Sequence, residues 1–121
     1  MADKSQSFRE VLVWQKAHAF TLAVYKASEP FPRHELFALT SQLRRSASSI
    51  PANFVEGFRK RTKPDKMKFY NIAQGFADEC LYHLILAHDL HYVDTTALQA
   101  DLEQVSRLLQ GYINGLESGG A

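Results

Sequence analysis

Few residues in this chain have the types and spacing that chemistry requires. Glu56 and Glu79 are carboxylates on successive predicted helices. Facing each other, they would suit general acid–base work. Beside Arg44 or Arg45 they read instead as a buried polar network that fixes helix register or chain pairing. The network is the expectation here, so no catalytic residue is assigned. The histidines are His18, His34, His83, His88 and His91. Glu79 and His83 share a helical face, as do His88 and His91. A di-iron bundle site needs Glu-x-x-His on two helices and a glutamate on each of two others. Glu79 and His83 have one residue too many between them and no second copy exists, so no metal is expected.

Nucleophiles fare no better. Ser46, Ser48 and Ser49 lie outside any Gly-x-Ser-x-Gly setting. Cys80 is the one cysteine and sits on an apolar stripe, where it reads as a small core residue. It rules out an intrachain disulfide and a multi-cysteine metal site. No phosphate loop or dinucleotide fingerprint occurs, so no cofactor is expected.

Clustered cations remain. Between Arg44 and Lys68 there are eight Lys and Arg against Glu56 and Asp65, a balance of +6. From Asp89 to the end, five acids face Arg107, a balance of −4. If the two segments sit apart, the resulting dipole guides an anionic partner. Candidate nucleic-acid ligands are Arg59, Lys60, Arg61, Lys63, Lys66 and Lys68. Arg44 and Arg45 fall inside the packed pattern. Phe69 and Tyr70 flank the cluster but read as packing residues. With no base-stacking aromatic, binding would run through phosphates and lack sequence preference. The plain alternative is a solubilising loop on a protein–protein scaffold.

These residues need elements to hold them. A chain of 121 residues predicts one domain with a core of its own. The balance of 45% hydrophobic and 22% charged residues is that of a globular protein. No apolar run reaches the roughly 20 residues that span a bilayer, and MADKSQSF lacks a secretory apolar core. A reducing cytoplasm is the expected compartment, with no membrane partner.

Residues 1–7 are polar and expected to fray. Apolar residues at three- and four-residue steps then predict four helices, at about 8–28, 33–58, 64–92 and 95–116. The first carries Val13, Ala17, Phe20 and Val24, with Trp14, Thr21, Leu22 and Tyr25 beside them. Pro30 and Pro32 end it. The second carries Leu36, Leu39, Leu43, Ala47, Ile50, Phe54 and Phe58. Pro51 lies inside it, predicting a kink whose freed Ala47 carbonyl the nearby serines would satisfy. Gly57 predicts a helix end or a tight contact. Thr62 with Asp65 predicts the cap of the third helix, whose main stripe runs from Phe69 to His91. A second stripe there, Ala77, Leu81, Ile85 and His88, exceeds the needs of one small bundle and suggests burial against another subunit. Asp94-Thr95-Thr96 caps the fourth, with its seam Leu98, Leu102, Val105, Leu109, Tyr112 and Leu116. Strand-like alternation, internal repeats and low-complexity tracts are absent. Helices with short connections make an all-α, antiparallel up-down-up-down four-helix bundle.

VWQKA, FPRHELFALTSQLRRSASSIPANFVEG and the run from Ala73 through Gly75 to Glu79 resemble the bacterial 23S rRNA intervening-sequence proteins. Accessory proteins of diversity-generating retroelements are similar. The resemblance covers about residues 8–116. The pattern is carried by Gln42, Arg44, Arg45, Ser49, Ile50, Pro51, Asn53, Glu56 and Gly57. Phe54 stands where the family usually has a smaller aliphatic, and Phe76 where it usually has a small residue. The resemblance implies a homopentameric ring with no known enzymatic activity. For the retroelement branch it implies a basic surface for RNA or DNA and a nucleic-acid enzyme, a reverse transcriptase, as partner.

Overall fold

The computed structural model describes residues 6–119. Residues 1–5, with most of the segment expected to fray, and Gly120 and Ala121 lie outside the described residues. Four α-helices are present: α1 Leu12–Ser28, α2 Leu39–Arg59, α3 Lys63–Asp89 and α4 Thr96–Gly119. The described residues contain no strand. Each helix packs on its sequence neighbours, and α4 closes the ring by returning to α1.

Cross-helix pairs run in opposite senses, as short connections require. Thr21 meets Ala47 while Arg44 reaches Ser28 across α1 and α2. Gly57 meets Tyr70 while Arg45 lies over Phe76 across α2 and α3. Gln74 pairs with Gln110 while Thr95 reaches Leu84 across α3 and α4. The fold is therefore an all-α antiparallel four-helix bundle. Two buried clusters fill it. One holds Phe20, Val24, Leu43, Ile50, Leu84 and Leu102. The other holds Val13, Phe54, Tyr70, Ala73, Leu109 and Ile113, nearer the end where α2 turns into α3.

Pro51 lies within α2 without breaking it. Proline has no N–H, so the Ala47 carbonyl loses its helical donor. The hydroxyl of Thr21 on α1 supplies the replacement, sharing its one proton in a three-centre bond between its own Ala17 O at 2.8 Å and Ala47 O at 3.2 Å. The nearby serines do not take this role as expected. Ser46 and Ser48 donate to Leu43 O and Arg45 O, three residues back on their own helix.

The ends depart from the predicted bounds for tertiary and local reasons. The first helix is interrupted at extended Val11, leaving a short 3-10 turn at Phe8–Glu10 before α1. The second begins at Leu39 rather than Arg33, after a 3-10 turn at Arg33–Glu35. There the Glu35 carboxylate accepts from the Leu39 amide at 3.3 Å and the Tyr92 hydroxyl at 2.7 Å. Those hydrogen bonds lower the Glu35 pKa, the Tyr92 bond contributing most. Leu36 consequently leaves the buried seam, and Leu22 and Tyr25 on α1 are exposed as well. Thr62 caps α3 as expected, accepting from the Asp65 amide at 3.3 Å. Buried Thr95 ends the turn before α4, its hydroxyl donating to Leu84 O at 2.7 Å while Asp94 accepts from the Thr96 amide at 2.9 Å. Gly115 lies within α4.

The third helix stops at Asp89, so His91 does not continue its stripe or share a helical face with His88. His91 adopts φ 63°, the left-handed region. Tyr92 N donates to Ala87 O and His91 N to His88 O, each at 3.0 Å, the Schellman pattern that normally places glycine here. His91→Gly should therefore stabilise the fold by about 1 kcal/mol, because a side chain costs roughly that in this conformation. Urea unfolding checks it through a raised midpoint at unchanged slope.

Candidate nucleic-acid interface

The cationic residues gather at the corner where α2 becomes α3. Gly57 near the end of α2 lets α3 approach closely. A Cβ built there would lie 2.6 Å from Tyr70 Cε1 and 3.1 Å from Phe69 Cβ. Tyr70 cannot swing away. Its buried ring stacks on Phe54 at 5.2 Å and meets Tyr112 edge-on at 5.7 Å. The bulk of Phe54 is thus absorbed in an aromatic layer, and Phe76 is half-buried beneath the Arg45 guanidinium.

Helix α2 ends with carbonyls that need donors. Lys66 on α3 provides one: its ammonium donates to Phe58 O at 2.8 Å and lies 3.4 Å from Gly57 O. It also sits 5.5 Å from the Phe58 ring centroid. Burial there lowers its pKa. Lys66 is therefore occupied as a helix cap, favourably placed for the α2 dipole. Sequence counting grouped it with the free cations because the cap comes from the next helix.

The other candidates divide by exposure. Arg59, Lys60, Arg61 and Lys68 are exposed, and Lys63 is half-buried. The Lys60 ammonium lies 5.0 Å from the Phe69 ring centroid. Phe69 is half-buried and Tyr70 buried, so neither offers a free face for stacking bases. The antiparallel fold brings a further cation to this end. Arg9 precedes α1 and packs over Trp14, whose ring lies against the same apolar cluster as Phe58 and Met67. Its sequence gave no such signal, since it stands fifty residues from the cluster. Four of the five late acids lie toward the opposite end: Asp89 ends α3, Asp94 lies in the turn before α4, and Asp101 and Glu103 are in the first half of α4. Glu117 lies at the basic end.

The expected carboxylate–arginine network is not formed within the chain. Arg44 donates to Ser28 Oγ at 2.8 Å and Tyr25 O at 3.4 Å, with its guanidinium 5.0 Å from the Tyr25 ring centroid. Glu56 and Glu79 occupy outward arcs of α2 and α3 and are exposed. Glu79 approaches His83 at 4.0 Å, the four-residue spacing predicted for the pair. Asn53 donates to Ser49 O at 2.8 Å, supporting α2 just beyond Pro51. Burial pushes the Cys80 thiol up to about 12, even with a Ser46 hydrogen bond opposing it. A thiol so held is a poor nucleophile. No group of three or more His, Cys, Asp or Glu is gathered for a metal among the described residues. No helix is long and apolar enough to cross a membrane among them either.

The 23S rRNA-intervening sequence protein family matches residues 9–111, almost the whole bundle. The chain belongs to this family. It is also similar to a crystal structure at 1.70 Å of a protein of unknown function from the S23 ribosomal protein family of Bacteroides thetaiotaomicron VPI-5482. Identity is 26% and the TM-score 0.75, over 84% of this chain and 98% of that one. Comparison with curated proteins gives no match.

Two glycines make opposite predictions. Gly57→Ala should destabilise by about 1–2 kcal/mol, because overpacking against Tyr70 exceeds the gain in helix propensity. Gly75→Ala meets nothing within 4 Å and should stabilise by up to about 1 kcal/mol. Paired urea titrations read both signs.

Proposed function

We propose that this chain is a non-catalytic helical bundle that assembles with copies of itself and holds nucleic-acid phosphates at its basic corner. One observation carries the phosphate reading. Arg59, Lys60, Arg61 and Lys68 are exposed together at one corner, with Lys63 beside them and Glu56 and Asp65 as local acids. Binding there is electrostatic, tolerates RNA and DNA alike, and reads no sequence, since the local aromatics are covered. A symmetric assembly, for which the resemblance suggests a pentamer, repeats the corner and raises its effect by avidity. A nucleic-acid enzyme acting on the same strand is the partner this arrangement suits.

The non-catalytic part is supported by what the reactive groups do. Cys80 is buried with its pKa raised, the serines bond back to their own helix, and Glu56 and Glu79 face outward. A protein–protein scaffold is the second reading. It is favoured by exposed large apolar residues, among them Leu22, Phe37, Tyr82 and Leu90.

Fluorescence anisotropy with single-stranded RNA of scrambled sequences separates the two. Under the phosphate reading, log affinity falls linearly with log salt and changes little between sequences. Replacing Lys60, Arg61 and Lys63 together by Gln should weaken binding and flatten the slope by about 2, from roughly 0.7 per lost single-strand contact. Unchanged affinity in that triple variant would remove the phosphate reading and leave the scaffold.

A further inference from the structure

Phe37 is 92% exposed, an extreme for a large apolar side chain. It stands on a held segment. Two residues earlier, Glu35 is tied to Tyr92 at 2.7 Å and to the Leu39 amide at 3.3 Å. Leu36 is 46% exposed beside it. An open cleft of about 510 Å³ adjoins the pair, lined also by Tyr25, Arg44 and Arg45. Neither arginine forms an ion pair among the described residues: Arg44 donates to neutral oxygens, and Arg45 lies over Phe76. Arg33 and His34 are exposed just before. The shoulder is an apolar knob flanked by Arg33, Arg44 and Arg45, with the Glu35 carboxylate turned to Tyr92 and the Leu39 amide.

A surface of the opposite character lies between α3 and α4. An open cleft of about 600 Å³ there is lined by Ala77, Leu81, Ile85 and Leu102, with Asp78 and Glu103 also present. Leu81 and Ile85, members of the surplus stripe, are 37% and 38% exposed. Asp78 makes no ion pair among the described residues, and Glu103 meets exposed Arg107 at 3.4 Å. The helices pack in cyclic order; Leu36 and Phe37 border Tyr25 of α1 and Thr40, Ser41 and Arg44 of α2, whereas the second cleft is lined by α3 and α4. One chain cannot close the contact on itself.

We infer that the occupant of the α3–α4 cleft is a second copy of this chain, which inserts Phe37 and Leu36 over Leu81 and Ile85. Its Arg44 and Arg45 face Asp78 and Glu103. Aromatic side chains and arginines are the residue types that dominate interface energetics. Paired opposite charges fix orientation. Because knob and cleft are different surfaces, the contact is heterologous and builds a ring where the rotation closes. The inference rests on the self-assembly reading and names the surfaces it uses.

Light scattering at micromolar concentration tests it with wild type, Phe37→Asp, Ile85→Asp and an equimolar mixture of the two variants. Both positions are exposed, and circular dichroism checks that the variants are folded. Should Phe37→Asp unfold, Phe37→Ser takes its place; Ile85→Ser likewise replaces Ile85→Asp. Wild type should be an oligomer, and each variant alone a monomer, with self-affinity weakened about 30-fold or more. The mixture should form a 1:1 dimer and stop there, since one partner keeps the cleft and the other the knob. Variants as large as wild type, or a mixture that stays monomeric, overturn the named surfaces while self-assembly stands. A monomeric wild type overturns both.

Discussion

The hydroxyl of Thr21 joins α1 to the point inside α2 where a proline leaves the helix one hydrogen bond short. Pro51 leaves the Ala47 carbonyl without an amide donor, and Thr21 Oγ1 reaches it at 3.2 Å from across the interface. A buried carbonyl left bare costs about 1–3 kcal/mol, so the contact favours one α1–α2 register over its slips. Small residues permit the approach. Ala17 and Ala47 are fully buried there, and Ser46 turns its hydroxyl back into its own helix. With the middle of α2 set, Gly57 comes to rest against the Tyr70 ring and fixes α3 in turn. The basic corner is the consequence: α2 and α3 meet at close range, and the turn between them has room only for Lys60, Arg61 and Thr62.

Much of this was legible in the sequence. The Leu102, Val105 and Leu109 seam predicts a buried arc of α4, and the structure buries all three. Pro51 signalled a carbonyl deprived of its amide donor, and Gly57 a close contact. Other features were hidden because their causes are not periodic. Helical spacing continues from Leu36 to Leu39 and on to His91, so nothing in the pattern marks the breaks. The start of α2 is set by Glu35 accepting from distant Tyr92, and the end of α3 by a histidine in a glycine-like conformation. The same limit applies to the candidate site. Composition pointed to the basic segment but could not separate Lys66, spent on the α2 carbonyls, from its exposed neighbours. It also paired Arg44 with carboxylates, whereas the guanidinium lies on Ser28 and Tyr25.

Surface chemistry follows from the antiparallel order. The α2–α3 turn collects cations at one end, while Asp89 and Asp94 stand near the other. Apolar side chains left over from packing one bundle are exposed on three surfaces: Leu12, Leu22 and Tyr25 on α1, Leu36 and Phe37 at the shoulder before α2, and Ile72, Leu81, Tyr82 and Ile85 along the outer side of α3. In the proposed assembly, copies that meet through the shoulder and the outer side of α3 leave the basic end free for a polyanion.

The register claim rests on Thr21 acting for the amide that Pro51 lacks, and a double-mutant cycle in urea reads that substitution directly. Thr21→Val should cost about 1–3 kcal/mol in the wild-type background, where it strips the Ala47 carbonyl of its donor. In a Pro51→Ala background the restored amide serves that carbonyl, so the same change should cost at least about 1 kcal/mol less. Strictly additive effects would contradict the account, because the two residues would then not be sharing one acceptor.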